Sequence, residues 1–470
     1  MATARPPRRG NSSTPANTGA AGANASGANA SGANASGVTE SRTAAALMLT
    51  DLRSGQLLDA TFERRTQPLD ARDRRWVQEL VWGTLRGRGR LDAILALRVR
   101  GGLAKLDADV ADLLRLGAYQ LLHMDSVPPY AAIGQTVEIT KRRHGIGASK
   151  LANAVLRRID RERANIEPPL PADALEALAQ RHSHPRWVVQ RWVERFGATD
   201  TERLLHTNNT PAPIVVRPYG VTSTQLSAAL RDADVSSESV PLVPESLQLT
   251  SAVSLAELGA FRQGLFYVQD PAATLVVQYA HVDTDSTVAD VCAAPGSKSL
   301  ELSRRARFVV AADRNLARVR RMAAGFARLN ASRLGVVVAD ARNSALPLMD
   351  AVLVDAPCTG TGTFRRHPDA RWRLRVSDFA VMGAMQKQIL RSAAALVKPG
   401  GLLVYSTCSL ELEENDDQVD AFLAAHPDFT LEPPPAGTVS ETVLDRGLLR
   451  VLPHVHGSDG AFAARFRRRV

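Results

Sequence analysis

The spacing of apolar residues changes along the chain and separates two main parts. In the first part, apolar residues recur every three or four positions in the segments AAALMLTDL, WVQELVWGTL, LDAILAL, DVADLLRLGAYQLLHM and AAIGQTVEITKR. This spacing is typical of amphipathic helices. Short polar breaks such as LDARDRR and RVRGG separate the segments. The pattern predicts an all-helical bundle over about 42–162.

From Gly264 onward, short continuous apolar runs alternate with helical spacing. The runs are STVADVCAAPGSK, RFVVAAD, RLGVVVAD, DAVLVDAPC and GLLVYSTCS, and a long helical segment surrounds DFAVMGAMQKQILRSAAALV. Apolar strands separated by helices are typical of a parallel sheet that is covered by helices on both faces. We therefore predict a multidomain chain in which an all-α domain is followed by an α/β Rossmann-like domain.

Two further stretches follow neither pattern. Residues 166–255 combine an amphipathic helix, RHSHPRWVVQRWVERFG, with the runs PIVVRPYG, LSAALRDADV and LQLTSAV, which predict a small strand–helix–strand connector. Residues 1–41 are mostly small or polar and contain ANASG three times in tandem. Because they lack large apolar side chains, they are predicted to be a disordered tail. The predicted boundaries are thus 1–41, 42–165, 166–255 and 256–470.

Composition narrows the class of protein. The chain carries 58 Lys and Arg against 48 Asp and Glu, a formal net charge of +10, which favours a polyanionic partner. On charge alone, the arginine-rich helices are equally well interpreted as a solvated surface or as an RNA-binding surface. No run approaches 18 apolar residues, which argues against a membrane helix, and three cysteines argue against a disulfide framework. We expect a reduced, cytoplasmic protein with no membrane partner.

Polar side chains follow each predicted strand of the second part. The loop 292–298 follows the first strand, Asp313, Asp340 and Asp355 end the next three, and Cys408 lies at the end of the fifth. The carboxyl ends of parallel strands face one crevice, where an acid can accept hydrogen bonds from ribose hydroxyls. The loop lacks both GxGxxG and GxxxxGK[ST], so it is poorly suited to a pyrophosphate. These features predict S-adenosylmethionine, a nucleoside cofactor without phosphates.

All three cysteines lie at predicted strand ends. Cys292 has apolar neighbours, which suits a small buried side chain. Cys358 and Cys408 lie in polar loops, which favours a chemical role. Zinc is the competing interpretation, but CxxC pairing is absent from the sequence. His182 and His184 have no third candidate ligand nearby and are interpreted as structural, so no metal site is predicted.

Several sequence blocks resemble known families. VQDPAA, DVCAAPGSK, DAPCTGTG, RWR and YSTCSLELEEND resemble the signature blocks of the RNA cytosine-5 methyltransferases. VWGTLRGRGRLDAIL, LRLGAYQLLHMDSVPPYAAIGQTVEITK and KLANAVLRRID resemble the NusB-like RNA-binding domain. In combination, about 42–470 resembles the RsmB/Sun (Fmu) family of 16S rRNA cytosine-5 methyltransferases. The resemblance favours RNA binding by the helices. It implies a monomeric enzyme whose partner is 16S rRNA or a small-subunit assembly intermediate.

The resemblance also implies a mechanism. A thiolate adds to carbon-6 of cytosine and makes carbon-5 nucleophilic. The family's nucleophile corresponds to Cys408, and its product-release cysteine corresponds to Cys358. Asp355 is expected to hydrogen-bond the edge of the base. Lys298 is a candidate to help the thiol ionise or to contact the substrate, and a cap on its own loop is the alternative.

The cofactor and RNA contacts implied by the family fall on two sets of residues. The cofactor set is Cys292, Ala293, Ala294, Pro295, Gly296, Ser297, Lys298, Asp313, Asp340 and Asp355. The phosphate-binding set is Arg365, Arg366, Arg371 and Arg373. Three residues depart from the family pattern, because Ser297 and Thr359 stand where Gly and Ser are usual, and Ala461 replaces an aromatic residue.

Three other functions stay open at the level of sequence. A related enzyme acting on tRNA or on another rRNA site would share the motifs. A non-catalytic RNA-binding assembly factor could keep the same fold, but it predicts decay of the two loop cysteines, and both are intact. A zinc-dependent RNA protein is the third alternative.

Overall fold

A computed structural model describes residues 38–251 and 253–470. The prediction of a disordered tail over 1–41 therefore falls almost entirely outside the described residues. The first helix begins at Glu40, one residue before the predicted end of the tail. Val38 is already buried against the helical core that follows.

The first part of the described chain is all-helical, as predicted. Its six helices are α1 (Glu40–Arg53), α2 (Leu58–Thr66), α3 (Ala71–Arg86), α4 (Arg88–Ala96), α5 (Ala108–His123) and α6 (Pro129–Arg161). The Asp107 carboxylate caps α5 by accepting from two backbone amides of its first turn. α5 is buried along most of its length and packs against α1, α3, α4 and α6. Two helical segments meet within α6 at Gly145, whose φ of +81° interrupts the helix.

The connector contains more strands than the sequence pattern predicts. After α7 (Ala174–Arg181) and α8 (Arg186–Asn209), the described residues form a four-stranded antiparallel sheet in the order β2-β3-β1-β4. Its elements are β1 (Ile214–Pro218), α9 (Ser223–Arg231), β2 (Ser237–Val240), β3 (Val243–Leu249), α10 (Gly259–Arg262) and β4 (Phe266–Val268). β2 escapes prediction because its sequence, SESV, has no buried residue and so no apolar alternation.

The second part is a nine-stranded sheet within residues 253–470. Its strands are β5 (Thr287–Asp290), β6 (Phe308–Asp313), β7 (Leu334–Val338), β8 (Met349–Asp355), β9 (Val397–Thr407), β10 (Phe429–Leu431), β11 (Leu444–Asp445), β12 (Leu448–Val451) and β13 (Ala461–Arg468). Its helices are α11 (Pro271–Ala280), α12 (Ser297–Ser303), α13 (Leu316–Arg328), α14 (Ala370–Arg373), α15 (Val376–Ala394), α16 (Asp416–Ala425) and α17 (Pro453–His456).

Five adjacent strands at one side of the sheet confirm the predicted parallel pairing. They run in the order β7-β6-β5-β8-β9, with parallel pairing throughout. Along β8, Ala351 and Leu353 pack into the core on one face, whereas Val352 and Val354 pack into the core on the other. A strand buried on both faces has no polar alternation, which explains the continuous apolar runs.

The sheet continues beyond the predicted parallel part. β13 pairs with β9 in antiparallel orientation, and β12, β11 and β10 extend this edge. Phe462 and Phe466 of β13 are buried against the sheet core. The predicted parallel sheet is therefore extended into a mixed sheet, because β13 joins its β9 edge in antiparallel orientation. Ala461, which replaces an aromatic residue, begins β13 and is itself buried.

The N-terminal helices dock directly on the α/β half of the chain. Trp82 of α3 donates through its indole N–H to the carbonyl of Arg366 at 2.9 Å. In the opposite direction, Trp372 of α14 donates to the carbonyl of Leu85 at 2.8 Å. These reciprocal bonds fix the segment around α14 against α3.

This docking corrects the predicted phosphate-binding set Arg365, Arg366, Arg371 and Arg373. Arg371 is fully buried and donates to oxygens of the connector. Arg365 is 4% exposed and, like Arg366, pairs with the carboxylate of Asp459. Arg373 pairs with the neighbouring carboxylate at the start of α14. The predicted phosphate contact is therefore wrong for Arg371, whose guanidinium is buried. The other three arginines are already paired with carboxylates.

No helix in the described part of the chain is long and apolar enough to cross a membrane.

Candidate active site

The carboxyl ends of the parallel strands enclose a cleft of about 270 Å³. Five residues of the predicted cofactor set line it, namely Cys292, Ala294, Asp313, Asp340 and Asp355. Both loop cysteines, Cys358 and Cys408, line the same cleft, together with apolar side chains of α15 such as Met385 and Ile389. Strand ends that are far apart in sequence therefore meet in one cleft, as the strand order requires.

The loop after β5 shapes one wall of this cleft. The Ala294–Pro295 peptide is cis, and Gly296 has φ +107° immediately before α12. A Cβ atom at Gly296 would lie 2.7 Å from Met322 and 2.8 Å from Phe326, so the loop packs against α13 only without a side chain there. The other five residues of the predicted set are not among those that line the cleft, namely Ala293, Pro295, Gly296, Ser297 and Lys298.

A buried carboxyl group anchors the same loop from below. Asp290 is fully buried, and the Ser299 hydroxyl of α12 donates to its Oδ2 at 2.6 Å. Burial raises the pKa of Asp290 to about 7. Asp290 is a site residue that the sequence pattern did not reveal, although it lies only two residues before the 292–298 loop.

Two acids in the cleft are each paired with a nearby arginine. Asp313 is 4% exposed, accepts from the Asn315 amide at 2.9 Å and pairs with Arg318 at 3.1 Å. Asp340 pairs with Arg342 at 2.5 Å, and hydrogen bonds from Arg342 lower the pKa of Asp340 to about 2. Carboxylates that face apolar side chains across a cleft without a phosphate-binding loop suit a nucleoside cofactor such as S-adenosylmethionine.

The two loop cysteines form a close pair. Cys358, three residues after β8, has its Sγ 3.3 Å from the Sγ of Cys408, one residue after β9. The hydrogen bond to Cys408, followed by burial, raises the pKa of the Cys358 thiol well above its usual value. The raised pKa favours the protonated form of Cys358.

An ion pair lies beside the cysteines. Lys298 Nζ contacts Asp355 Oδ2 at 2.8 Å, and the Ser406 hydroxyl donates to Asp355 Oδ1 at 2.9 Å. Burial alone would lower the pKa of Lys298, but the Asp355 carboxylate outweighs it and raises that pKa. Lys298 thus stays charged and orients Asp355, while the Asp355 side chain keeps 31% of its surface exposed towards the cleft. The Lys298 ammonium does not cap its own loop, because its partner Asp355 lies at the end of β8.

A residue absent from the sequence prediction fixes both cysteine loops. Glu414 is fully buried, and its Oε1 accepts from the Thr359 amide at 2.8 Å and from Gln386 at 3.1 Å. Its Oε2 accepts from the hydroxyls of Thr359 and Ser409, and its carbonyl accepts from Tyr405 at 2.6 Å. The hydroxyl of Thr359 thus donates to Glu414, as the hydroxyl of a serine at this position could. Glu414 is a positioning residue, since it contacts the residue after each cysteine.

We expect Glu414→Ala to lower the kcat of methyl transfer at least tenfold and to lower the free energy of unfolding by roughly 2–4 kcal/mol. Removing the carboxylate leaves several buried donors without an acceptor, and each costs about 1–3 kcal/mol. Glu413→Ala is the matched control, because Glu413 is 38% exposed and pairs with Arg191 at the surface, where ion pairs contribute about 1 kcal/mol or less. Steady-state kinetics and thermal unfolding of both variants measure the difference. Equal effects of the two substitutions would contradict the positioning role of Glu414.

The remaining sequence candidates take structural places. Cys292 lines the cleft and packs against the core, and burial raises the pKa of its thiol, which disfavours the thiolate that a nucleophile needs. Trp192 is fully buried and donates to Glu411 at 3.0 Å. His184 is buried and its ring contacts the His182 carbonyl at 2.6 Å. Within residues 38–251 and 253–470, no group of three or more His, Cys, Asp or Glu could hold a metal ion.

Comparison with protein families divides the chain in the same way as its fold. Residues 277–467 match the family described as 16S rRNA methyltransferase RsmB/F. Residues 39–161 match the NusB family, and residues 184–256 match the ferredoxin-like domain of RsmF/B-like methyltransferases. The predicted NusB-like resemblance is therefore confirmed.

Individual relatives match over most of their length. Ribosomal RNA small subunit methyltransferase B of Sodalis glossinidius is 34% identical over 83% of this chain and 90% of its own. The protein of the same name from Vibrio vulnificus is 33% identical over 82% of this chain and 91% of its own.

Solved structures share the fold. The crystal structure of PH0851 has a TM-score of 0.77 and 25% identity, and covers 90% of this chain and 97% of its own. A methyltransferase homolog protein from Pyrococcus horikoshii has a TM-score of 0.55, also at 25% identity, over 63% of this chain and 100% of its own. These matches extend along nearly the whole described chain. The protein therefore belongs to the RsmB/F family of 16S rRNA methyltransferases and is an S-adenosylmethionine-dependent rRNA methyltransferase.

Proposed function

We propose that this enzyme methylates carbon-5 of a cytosine in 16S rRNA through a covalent adduct on Cys408. The pair of thiols 3.3 Å apart in the cofactor cleft carries this proposal. Methylation of a ring nitrogen or a hydroxyl needs no cysteine nucleophile, because those atoms already have a lone pair. Carbon-5 of cytosine lacks one, so a nucleophile must first add to carbon-6.

The chain's own groups supply the attack. Cys408, which lines the cofactor cleft, is the nucleophile, and its Sγ forms a bond to carbon-6 of the target base. The electrons of the 5,6 double bond then make carbon-5 nucleophilic. Asp355, held by Lys298 and Ser406, hydrogen-bonds the base edge and favours protonation at ring nitrogen 3, which draws electron density from carbon-6.

The second half of the reaction restores the base. When bound, S-adenosylmethionine supplies the methyl group for carbon-5, and the 292–298 loop with Asp313, Asp340 and Asp355 would hold it. A base then removes the remaining proton from carbon-5, the electron pair re-forms the 5,6 double bond, and the bond from carbon-6 to Cys408 breaks. Cys358 assists this elimination from its place beside the nucleophile.

Two observations support 16S rRNA as the substrate. The matching family and relatives are named for small-subunit rRNA, and the NusB-like domain lies in front of the catalytic half in a chain with a net charge of +10. A base inside a duplex cannot reach Cys408, so the target must be unpaired or flipped out. A tRNA cytosine remains the second candidate, since the same cysteine pair would serve it.

Bisulfite sequencing of rRNA and tRNA, from cells with and without the gene, tests reaction and substrate together. We expect one cytosine of 16S rRNA to lose its protection from conversion when the gene is deleted. Loss of protection in tRNA instead would keep the mechanism and replace the substrate. An unchanged pattern in both RNA classes would contradict the proposed reaction.

A further inference from the structure

A second cleft, of about 420 Å³, lies where the N-terminal helices, the connector and the catalytic half meet. Its lining includes Arg75, Trp82, Arg86, Ile214, Arg365 and His367. The residues that line it differ from those of the cofactor cleft. It is therefore a separate feature that the proposed reaction does not use.

Two buried guanidinium groups at this cleft have donors without acceptors. Arg86 donates through Nη2 to the carbonyl of Arg365 at 3.2 Å, but its buried Nε has no hydrogen-bond partner among the described residues. Arg365 donates through Nε to Asp459 at 3.0 Å, whereas its Nη2 has no hydrogen-bond partner in the same part of the chain and lies 3.8 Å from Asp270 Oδ2. Burial lowers the pKa of Arg86. Buried donors that lack an acceptor are costly, and they call for one.

The acids that line the cleft have their own contacts. Asp59 lies 3.7 Å from the ring of His367, and Glu79 accepts from the Tyr119 hydroxyl at 2.6 Å. Arg75 is exposed at the mouth and has no side-chain partner within residues 38–251 and 253–470. An anion entering the cleft would therefore meet unsatisfied arginine donors.

The cleft is coupled through the backbone to the nucleophile. Arg365 follows the turn that contains Gly362, whose amide donates to the carbonyl of Cys408 at 3.0 Å. A Cβ atom at Gly362 would lie 2.7 Å from that carbonyl oxygen, so the turn packs directly on the nucleophile's loop. A group bound at Arg365 is thus fixed relative to Cys408 by a short, closely packed segment.

We propose that this cleft binds one backbone phosphate of the RNA substrate and so sets the register of the target base. Arginine is well suited to phosphate, because its N–H groups match phosphate oxygens. Phosphate contacts position nucleic acid without reading its sequence. The inference rests on the proposed function only in taking rRNA as the substrate. In addition, residues of the N-terminal domain and of the catalytic half contact the same RNA phosphate.

Arg75→Ala tests the proposed phosphate site, and Arg74→Ala, on the same helix α3, is its matched control. Arg74→Ala removes the same charge, but Arg74 pairs with Glu63 and lies outside the cleft. We expect Arg75→Ala to weaken binding of a 16S rRNA fragment about tenfold. In a plot of the logarithm of the binding constant against the logarithm of the salt concentration, the negative slope should become shallower by about 0.7–0.9, as for one lost phosphate contact. Arg74→Ala should change both quantities much less. Equal effects of the two variants would overturn the site, because they would show only general charge attraction.

Neutral methylphosphonate linkages, placed one at a time in the RNA fragment, identify the phosphate. We expect one position near the target base to weaken binding to the wild-type enzyme but not to Arg75→Ala. If no position behaves in this way, the proposal is wrong. Competition of inorganic phosphate with RNA binding at matched ionic strength would then show that the site takes a free anion. Because these assays measure binding, they stay informative if bisulfite sequencing finds no carbon-5 methylation.

Discussion

Cys408→Ala is expected to reduce methyl transfer by about 10³-fold or more, since removing a covalent nucleophile removes the step on which the others depend. Transfer of tritiated methyl groups to a 16S rRNA fragment measures the loss. The side chain is small and lies at the cleft, so the fold should tolerate its truncation. Cofactor affinity by calorimetry and the Tm should therefore stay close to the wild-type values.

Cys408→Ser is the companion variant for this prediction. It keeps the size and a hydrogen-bonding group beside Cys358 but replaces the sulfur with a much weaker nucleophile, so we expect it to be as inactive as the alanine variant. Substantial turnover in either variant, combined with an inactive Cys358→Ala, would show that the two cysteines have the opposite roles.

Cys358→Ala is expected to trap the enzyme on its RNA. Attack by Cys408 does not need the Cys358 side chain, whereas elimination does, so the adduct should form faster than it breaks down. Denaturing gel electrophoresis with labelled RNA should show a slow-migrating, protease-sensitive band that is weak or absent for the wild type.

The double variant Cys358→Ala, Cys408→Ala is the matched control for the trapped adduct. It lacks the nucleophile and should show no band under the same conditions. A band that persists in the double variant would place the covalent bond on another residue. Absence of the band from the single variant, despite normal RNA binding, would contradict a role for Cys358 in release.

Several site residues could be predicted from sequence because their positions follow from strand order. Asp313, Asp340, Asp355 and Cys408 each follow an apolar run, and the ends of parallel strands meet at one edge of the sheet. The structure brings all four to one cleft. Their chemical roles remain proposals, and the variants above are designed to test them.

Glu414 shows what local sequence could not reveal. It lies in an acidic run, ELEEND, in which Glu411, Glu413 and Glu414 look alike. Only the fold distinguishes them, because Glu414 turns inward between the two cysteine loops while Glu413 remains 38% exposed. The arginines of α14 and the preceding loop illustrate the same limit, since Arg371 looked like an RNA contact and is a buried link between domains.

The two-part architecture, the parallel strands and several residues that meet in the cleft could be predicted from the amino-acid order alone. These features depend on periodicity and on neighbours along the chain, which the amino-acid order records directly. The tertiary structure alone decided which charges are paired, how the N-terminal helices dock on the catalytic half, and that Cys358 lies 3.3 Å from Cys408. Burial and pairing of charged groups depend on residues distant in sequence, and packing selects those partners.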